Sequence, residues 1–478
     1  MRIPHSINPS TLVEYSPSPE SLDLVGEDQR KIISENFDWN KDHCPTLIHF
    51  CLKAIAKNFE KKPIFDELPC EDKDQLLEII PTDLPLEQAI PFIHDEYYWK
   101  RRYEAHFKTI TRRKPKSWTW KNLYLERHLQ KLVEEAQPQY SDEENMGDIL
   151  DLCSPYVSRL IVTQLQLWQP PLNMDKEDYP EIFPVDHINF LYILRKLCTV
   201  TEFDLVFGMN DVSEKFDWNM FKVTVLDCQR LGKALLELKN LEILRIHRSR
   251  LGNEHCQALM QNLIKNKSLL ELDLSNCEIG DQGALCVAKF LAGHPSLKIL
   301  NLANNRIGKI GAEGLGFTLL LPSCAQIHTL VLKLNPLGKD GAMGIMRGIV
   351  RCSIPLELSM AGCDLEGDTP VKIGQMIRIN DTLEKLDLSN NWFGADGGTY
   401  VVEALNENYT LQWLDMRETD ITSNQQQTIK SYLFRNRRLK AQEDKSTSRS
   451  CMNEESFVTD IIYRKSEQKP YILSAFDE

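Results

Sequence analysis

A phrase of spaced leucines returns along the chain at nearly constant intervals. LEILRIHRSRLG begins at residue 241, LLELDLSNCEIG at 269, LKILNLANNRIG at 297 and IHTLVLKLNPLG at 327. PLELSMAGCDLEG follows at 355, LEKLDLSNNWFG at 383 and LQWLDMRETDIT at 411. Successive starts lie 28, 28, 30, 28, 28 and 28 residues apart. A single such unit cannot bury its own apolar face, so the copies must stack side by side into a solenoid.

The pattern LxxLxLxxN/CxL at this period is that of a leucine-rich repeat. Leu272 and Leu274 alternate at period two, which predicts a short strand with both leucines inward and Asp273 outward. The chain then turns at Cys277, Asn305, Asn335, Cys363 and Asn391, with Ser249 and Thr419 at this position in the outer copies. A buried Asn there must find partners, and the turn backbone of the neighbouring repeat supplies them. After each turn comes a helical pattern; in GDQGALCVAKFLA, Ala284, Val287, Ala288 and Leu291 fall at i, i+3, i+4 and i+7. The expected class is α/β, a ribonuclease-inhibitor-like leucine-rich-repeat solenoid (a horseshoe) preceded by an α-helical N-terminal domain.

The remaining chain divides by pattern. Residues 1–27 read as a disordered lead without an apolar signal segment, and 28–149 as a helical N-terminal domain. Residues 150–240 read as degenerate capping repeats, with strand echoes at Val157, Leu160, Val162 and at Val200, Phe203, Leu205. Between them QPPLNMDKEDYPEIFPVD is a proline- and acid-rich insertion. The solenoid occupies 241–440, and 441–478 reads as a flexible C-terminal tail. Between Lys100 and Lys121 basic residues, among them Arg101, Arg102, Arg112 and Arg113, alternate with aromatics. That stretch reads as amphipathic helices with aromatic cores and solvated basic faces, or as a cationic surface for an acidic partner such as tubulin.

Several apparent sites dissolve into the repeat. Gly308, Gly311, Gly314 and Gly316 suggest a phosphate loop but lack its GKS/T ending. Cys277 and Cys363 are ladder residues. NKS at 266, NDT at 380 and NYT at 408 share one repeat position, as helix-ending turns would. There is no CxxC pair among 13 cysteines, no HExxH, no GxSxG and no Walker lysine. No catalytic residue, cofactor or metal is therefore expected. A net charge of −13 disfavours general nucleic-acid binding, and no apolar run reaches the 18 residues of a membrane helix.

What remains is surface. One outward column reads Arg245, Asp273, Asn301, Val331, Ser359, Asp387, Asp415, and the next His247, Ser275, Ala303, Lys333, Ala361, Ser389, Arg417. The candidate partner-binding residues are Arg245, His247, Glu271, Asp273, Ser275, Asn301, Lys333, Asp387, Trp413, Asp415 and Arg417, together with the four arginines above. Six strand spacings of ~4.8 Å give a face of about 30 Å.

DEYYWKRRYEAHF, SWTWKNLYLERHL and FDWNMFKVTVLDCQRLGKAL, followed by these repeats, resemble the T-complex-associated testis-expressed protein 1 family, dynein regulatory complex subunit 5. The likeness spans residues 28 to 440. It implies a non-enzymatic scaffold of the nexin–dynein regulatory complex in the axonemes of motile cilia and flagella. Its implied partners are other subunits of that complex and the doublet microtubule surface, with no nucleic acid and no membrane. WKRRYEAHF and WKNLYLERHL also resemble the closing helices of F-box proteins, which would make the chain a substrate adaptor of a ubiquitin ligase. A Ran-type GTPase activator shares the repeat, but residues 441–478 lack a long acidic run.

Overall fold

The computed structural model describes residues 46–65, 67–107, 119–138, 143–167, 187–209, 221–294, 296–321, 327–350 and 356–448. The lead at 1–27, Arg112, Arg113, the insertion at 169–186 and the tail beyond 448 lie outside the described residues. The chain forms two compact units, residues 1–93 and 94–478.

In the first unit, α1 (Leu47–Asn58), α2 (Cys70–Ile79) and α3 (Leu86–Phe92) bury Leu52, Phe59, Leu76, Ile80 and Ile90. Thr46 opens α1 by accepting the His49 N–H, as an N-cap does.

The second unit begins with α4 (Glu96–His106), α5 (Trp120–Glu135) and α6 (Glu143–Cys153), so the basic–aromatic helices share a unit with the repeats. Strands and helices then alternate: β1 (Arg159–Val162), α7 (Phe190–Lys196), β2 (Glu202–Leu205), α8 (Val225–Ala234), β3 (Ile243–Ile246), α9 (Asn253–Leu263), β4 (Glu271–Asp273), α10 (Asp281–Ala292), β5 (Ile299–Asn301) and α11 (Lys309–Leu319). The series continues with β6 (Thr329–Val331), α12 (Gly338–Val350), β7 (Leu356–Ser359), α13 (Thr369–Ile379), β8 (Leu383–Asp387), α14 (Gly394–Glu407), β9 (Trp413–Asp415) and α15 (Ser423–Ser448). Helix α15 continues past 441, where the sequence suggests a flexible tail.

These nine strands form one parallel sheet in sequence order. The register pairs Leu160, Phe203, Leu244, Leu272, Leu300, Leu330, Leu358, Leu386 and Leu414 in a single row. From Leu244 onward, neighbours in that row are separated by the same intervals as the sequence phrase. The echoes at 157–162 and 200–205 are thus true repeats, set apart by longer connections. The inward leucines Leu272, Leu300, Leu302 and Leu386 are 0% exposed, each contributing on the order of 1.5–3 kcal/mol by burial.

The turn residues form the expected ladder. Asn305 Nδ2 donates to Leu274 O (2.9 Å) in the preceding repeat and to Leu302 O (3.0 Å) in its own, while Oδ1 accepts the Ile279 N–H (3.1 Å). Asn335 and Asn391 repeat this arrangement. Cys277 and Cys363 stand in through Sγ contacts to Ile246 O and Leu332 O in the preceding repeat and to Ser275 O and Ala361 O in their own. Burial raises both thiols to about 12, so they stay protonated and unreactive.

Helix starts are capped from the repeat before. Asp281 Oδ1 accepts from Gly308 N (2.8 Å) and Gly311 N (2.9 Å), and Asn253 Oδ1 does the same for Gly280 and Gly283. The apparent phosphate loop already holds a carboxylate of its own protein. A Cβ on Gly311 would lie 2.8 Å from Asp281 Oδ1 and from Ala284 Cβ, which is why glycine stands there. Where α11 meets α12, a Cβ on Gly316 would lie 2.1 Å from Gly344 O, so only glycine permits that approach.

Candidate interaction surface

The outward side of the strands is more committed to the protein itself than its polarity suggests. Glu271, Asp273, Ser275 and Asp415 are 4, 9, 7 and 8% exposed, which corrects the expectation that these four face a partner. Asp273 Oδ1 accepts the Ser275 N–H (2.9 Å), and its Oδ2 accepts from Asn301 Nδ2 (2.7 Å). Asn301, Asp387 and Asp415 likewise accept the N–H two residues on, from Ala303, Ser389 and Arg417. Each closes an Asx turn that bends the chain out of its strand. Turn chemistry is the reason this column is rich in Asp and Asn.

Arg245 and His247 sit in a charge network over β2, β3 and β4. Arg245 donates to Glu202 and, through Nε, to Glu271 Oε1 at 3.0 Å; Asp204 Oδ2 lies 4.0 Å away. Burial works against the arginine's charge, but the carboxylates of Glu271 and Glu202 hold its pKa above the ordinary value. His247 Nε2 meets Asp204 Oδ1 at 2.9 Å, and its Nδ1 accepts from Arg248 Nε at 3.1 Å.

Lys333, Trp413 and Arg417 remain accessible. Lys333 is exposed, Trp413 is 44% exposed on the last strand, and Arg417 grips Asp415 by two nitrogens with most of its side chain in solvent. Asp387 is half-buried and accepts from Ser359 Oγ at 2.9 Å. Trp392, 71% exposed, is a large accessible aromatic that the strand columns miss; it lies one residue beyond the Asn391 ladder.

The basic–aromatic helices depart from the solvated-face expectation. Tyr98, Trp99 and Tyr103 are fully buried, and Arg102 at 3% and Lys121 at 4% are buried with them. The Arg102 guanidinium lies 4.9 Å from the Tyr124 ring and 5.7 Å from Trp99, and donates to Tyr98 Oη at 3.2 Å. Lys121 Nζ lies 4.3 Å from the Tyr156 ring. Burial lowers Lys121 to about 8, with Glu96 working the other way. Both cations are enclosed over aromatic faces, so they are core and not a docking surface. Arg101 is half-buried and engaged with neighbouring groups.

Helix α5 covers the outer edge of β1. Glu126 accepts from Ser158 Oγ, from the Arg159 N–H (3.1 Å) and from the Arg159 guanidinium (2.9 Å). Glu134 accepts from Thr163 N and Oγ1, both at 2.7 Å. At the other end of the sheet, α15 places Asn436 against Asn408 O and Leu411 O, and Arg435 against Leu405 O and Asn408 O. Glu126 and Arg435 look like surface charges in sequence, yet both close the ends of the solenoid.

The three Asn-x-Ser/Thr triplets are interior. Asn266, Asn380 and Asn408 are 7, 3 and 4% exposed. Each donates to a carbonyl of the preceding repeat and accepts the N–H groups two and three residues on. This second ladder leaves no amide for a glycan. Among the described residues there is no cluster suited to a metal ion, and no helix is long and apolar enough to cross a membrane.

With this geometry in view, the likeness to known proteins can be stated. A family model described as Leucine Rich repeat matches residues 265–288, 293–316 and 380–402. Dynein regulatory complex subunit 5 of Mus musculus is 32% identical over 240 residues, 47% of this chain and 47% of that protein. The protein of the same name from Chlamydomonas reinhardtii is 28% identical over 208 residues, 44% and 48% of the two chains. The solved Leiomodin-1 Actin-Binding Site 2 aligns over 48% of this chain and 99% of its own at 17% identity, with a TM-score of 0.22. The matched region thus spans about half the length of the curated relatives. The chain carries leucine-rich repeats and is similar, over that half, to proteins named Dynein regulatory complex subunit 5.

Proposed function

We propose that this chain is a non-enzymatic scaffold subunit of the nexin–dynein regulatory complex in the axonemes of motile cilia and flagella. Its repeats hold other subunits of that complex and so regulate dynein-driven microtubule sliding through protein contacts. The observation that carries the reading is the similarity over 240 residues to the mouse protein of that name. The architecture supports it. A parallel sheet closed by helices at both ends, with charged ridges and exposed Trp392 and Trp413, is built to present surface. Within the described part of the basic stretch Lys100 is exposed, and in this reading it faces the doublet microtubule.

The test is to express the tagged protein in ciliated cells, image it, and extract axonemes with graded salt. The expected outcome is signal along the axoneme and co-extraction with regulatory-complex subunits. Diffuse signal with none in axonemes, or recovery of a ubiquitin-ligase core in pull-downs, overturns the reading.

A further inference from the structure

The strands end in a ridge of turns, and the ridge is not uniform in charge. Over the first three repeats of the phrase a groove of about 460 Å³ opens between Arg248, Arg250, Asn276, Glu278, Asn304 and Arg306. Arg248, Asn276 and Asn304 occupy the same repeat position with left-handed backbone, at φ 51°, 55° and 52°. This shared conformation lines up their side chains along the stacking direction. Asn304 Nδ2 donates to Asn276 Oδ1 at 2.9 Å, so the floor is a run of amides. Arg248 is steadied by His247, which is held in turn by Asp204. Arg306 leans on Glu278 at 3.4 Å, an exposed pair that a stronger carboxylate would displace at little cost.

Three guanidinium groups against one carboxylate give this groove a local charge of +2 in a chain whose net charge is −13. At the equivalent positions of the last three turns stand Asp364, Trp392 and Asp420, with Glu418 beside them. The ridge therefore changes sign along its length. Guanidinium groups favour carboxylate or phosphate in bidentate geometry. Phosphate backbones need a longer basic track than three turns provide, and the acidic end of the ridge would repel them.

We propose that this groove is a docking site for an acidic peptide segment of a protein partner, with the arginines taking its carboxylates and the acidic far end fixing its direction. The proposal rests on the reading of the repeats as a docking scaffold, but not on which complex they serve.

The experiment is fluorescence anisotropy of the full chain with a fluorescein-labelled octaglutamate peptide at about 50 mM salt, where screening is weak. Saturable binding is expected. Arg248→Ala combined with Arg250→Ala should weaken it about tenfold or more, while Glu278→Gln, which removes the competing carboxylate, tightens it about threefold. Lys430→Ala combined with Arg438→Ala, an equal charge loss at exposed positions of α15, leaves it within about twofold. Both substituted arginines are exposed; should the double variant melt below the parent, Glu278→Gln alone decides. Absence of saturable binding, a double variant that binds as the parent does, or tighter binding of a single-stranded oligonucleotide of equal charge overturns the proposal. Binding is read on the isolated protein, so a failure here is distinguishable from a failure to reach axonemes.

Discussion

At the scale of the residue, this protein is held by side chains that finish a neighbour's backbone hydrogen bonding. Asn305, Asn335 and Asn391 do this at the strand turn, Asn266, Asn380 and Asn408 do it at the helix end, and Asn436 does it from within α15. His294 occupies this second position, 28 residues after Asn266, and is fully buried. Burial first, and the charge of Lys267 second, push its pKa down to about 4, against about 6.5 in an unfolded chain. Between those values the unfolded chain binds a proton that the folded protein does not. Stability is therefore unaffected by this group above pH 6.5 and falls as pH drops from 6.5 toward 4, by on the order of 3 kcal/mol. His294→Asn replaces the titrating ring with the amide used at the equivalent positions. The expected result is a shallower loss of stability across that window, measured by urea unfolding at several pH values. Parallel pH profiles for variant and parent would sink the account. His128, also lowered to about 4 by burial and by Arg102, remains in both and gives the shared part of the slope.

At the scale of the element, legibility in the sequence followed how local the cause was. The strand row and the helices between strands are written in period-two and period-3.6 spacing, and the structure has both. The Asn turn was legible because a buried amide must be satisfied. The outward columns misled because alternation identifies which face a side chain points to, not whether another repeat covers it. Glu271 and Asp273 point outward and are still buried. The ends were obscured for a related reason: in WKNLYLERHLQKLVEE the acid at 126 and the lysine at 121 look like the polar stripe of an amphipathic helix. Glu126 is buried because α5 lies along β1, whose outward N–H groups would otherwise invite another chain, and Lys121 because Trp99 and Tyr156 enclose its ammonium. Glu126→Ala removes an ionised acceptor from the Arg159 N–H and guanidinium, so a loss of about 2–3 kcal/mol is expected. Glu126→Gln keeps the acceptor and should lose less. Amide hydrogen exchange should speed up at Arg159 more than at Leu272 in the middle of the sheet. Unchanged exchange at Arg159 in the alanine variant would mean that α5 does not guard that edge.

At the scale of the whole repeat unit, each strand pairs only with the one before and the one after it, in sequence order from β1 to β9. Stability in such a stack is close to a sum of repeat and interface contributions, so damage in the middle differs in kind from damage at an end. Leu300 lies on the fifth of the nine strands, fully buried and in register with Leu272 and Leu330. Leu300→Asp places an unpaired carboxylate in that row, at a cost of several kcal/mol. The repeats on either side keep their own neighbours and their own helical ends, α5 at one and α15 at the other. The substitution should therefore lower the unfolding midpoint and also loosen the coupling between the two halves. With the other six of the eight tryptophans replaced by phenylalanine, Trp392 and Trp413 report the C-terminal repeats, whereas far-ultraviolet circular dichroism reports the whole chain. In the parent the two signals should change together with urea; in Leu300→Asp the tryptophan transition should separate from the dichroism transition. A midpoint equal to the parent's would place Leu300 outside the core row. A lowered midpoint with still coincident transitions would show that the nine strands unfold as one unit.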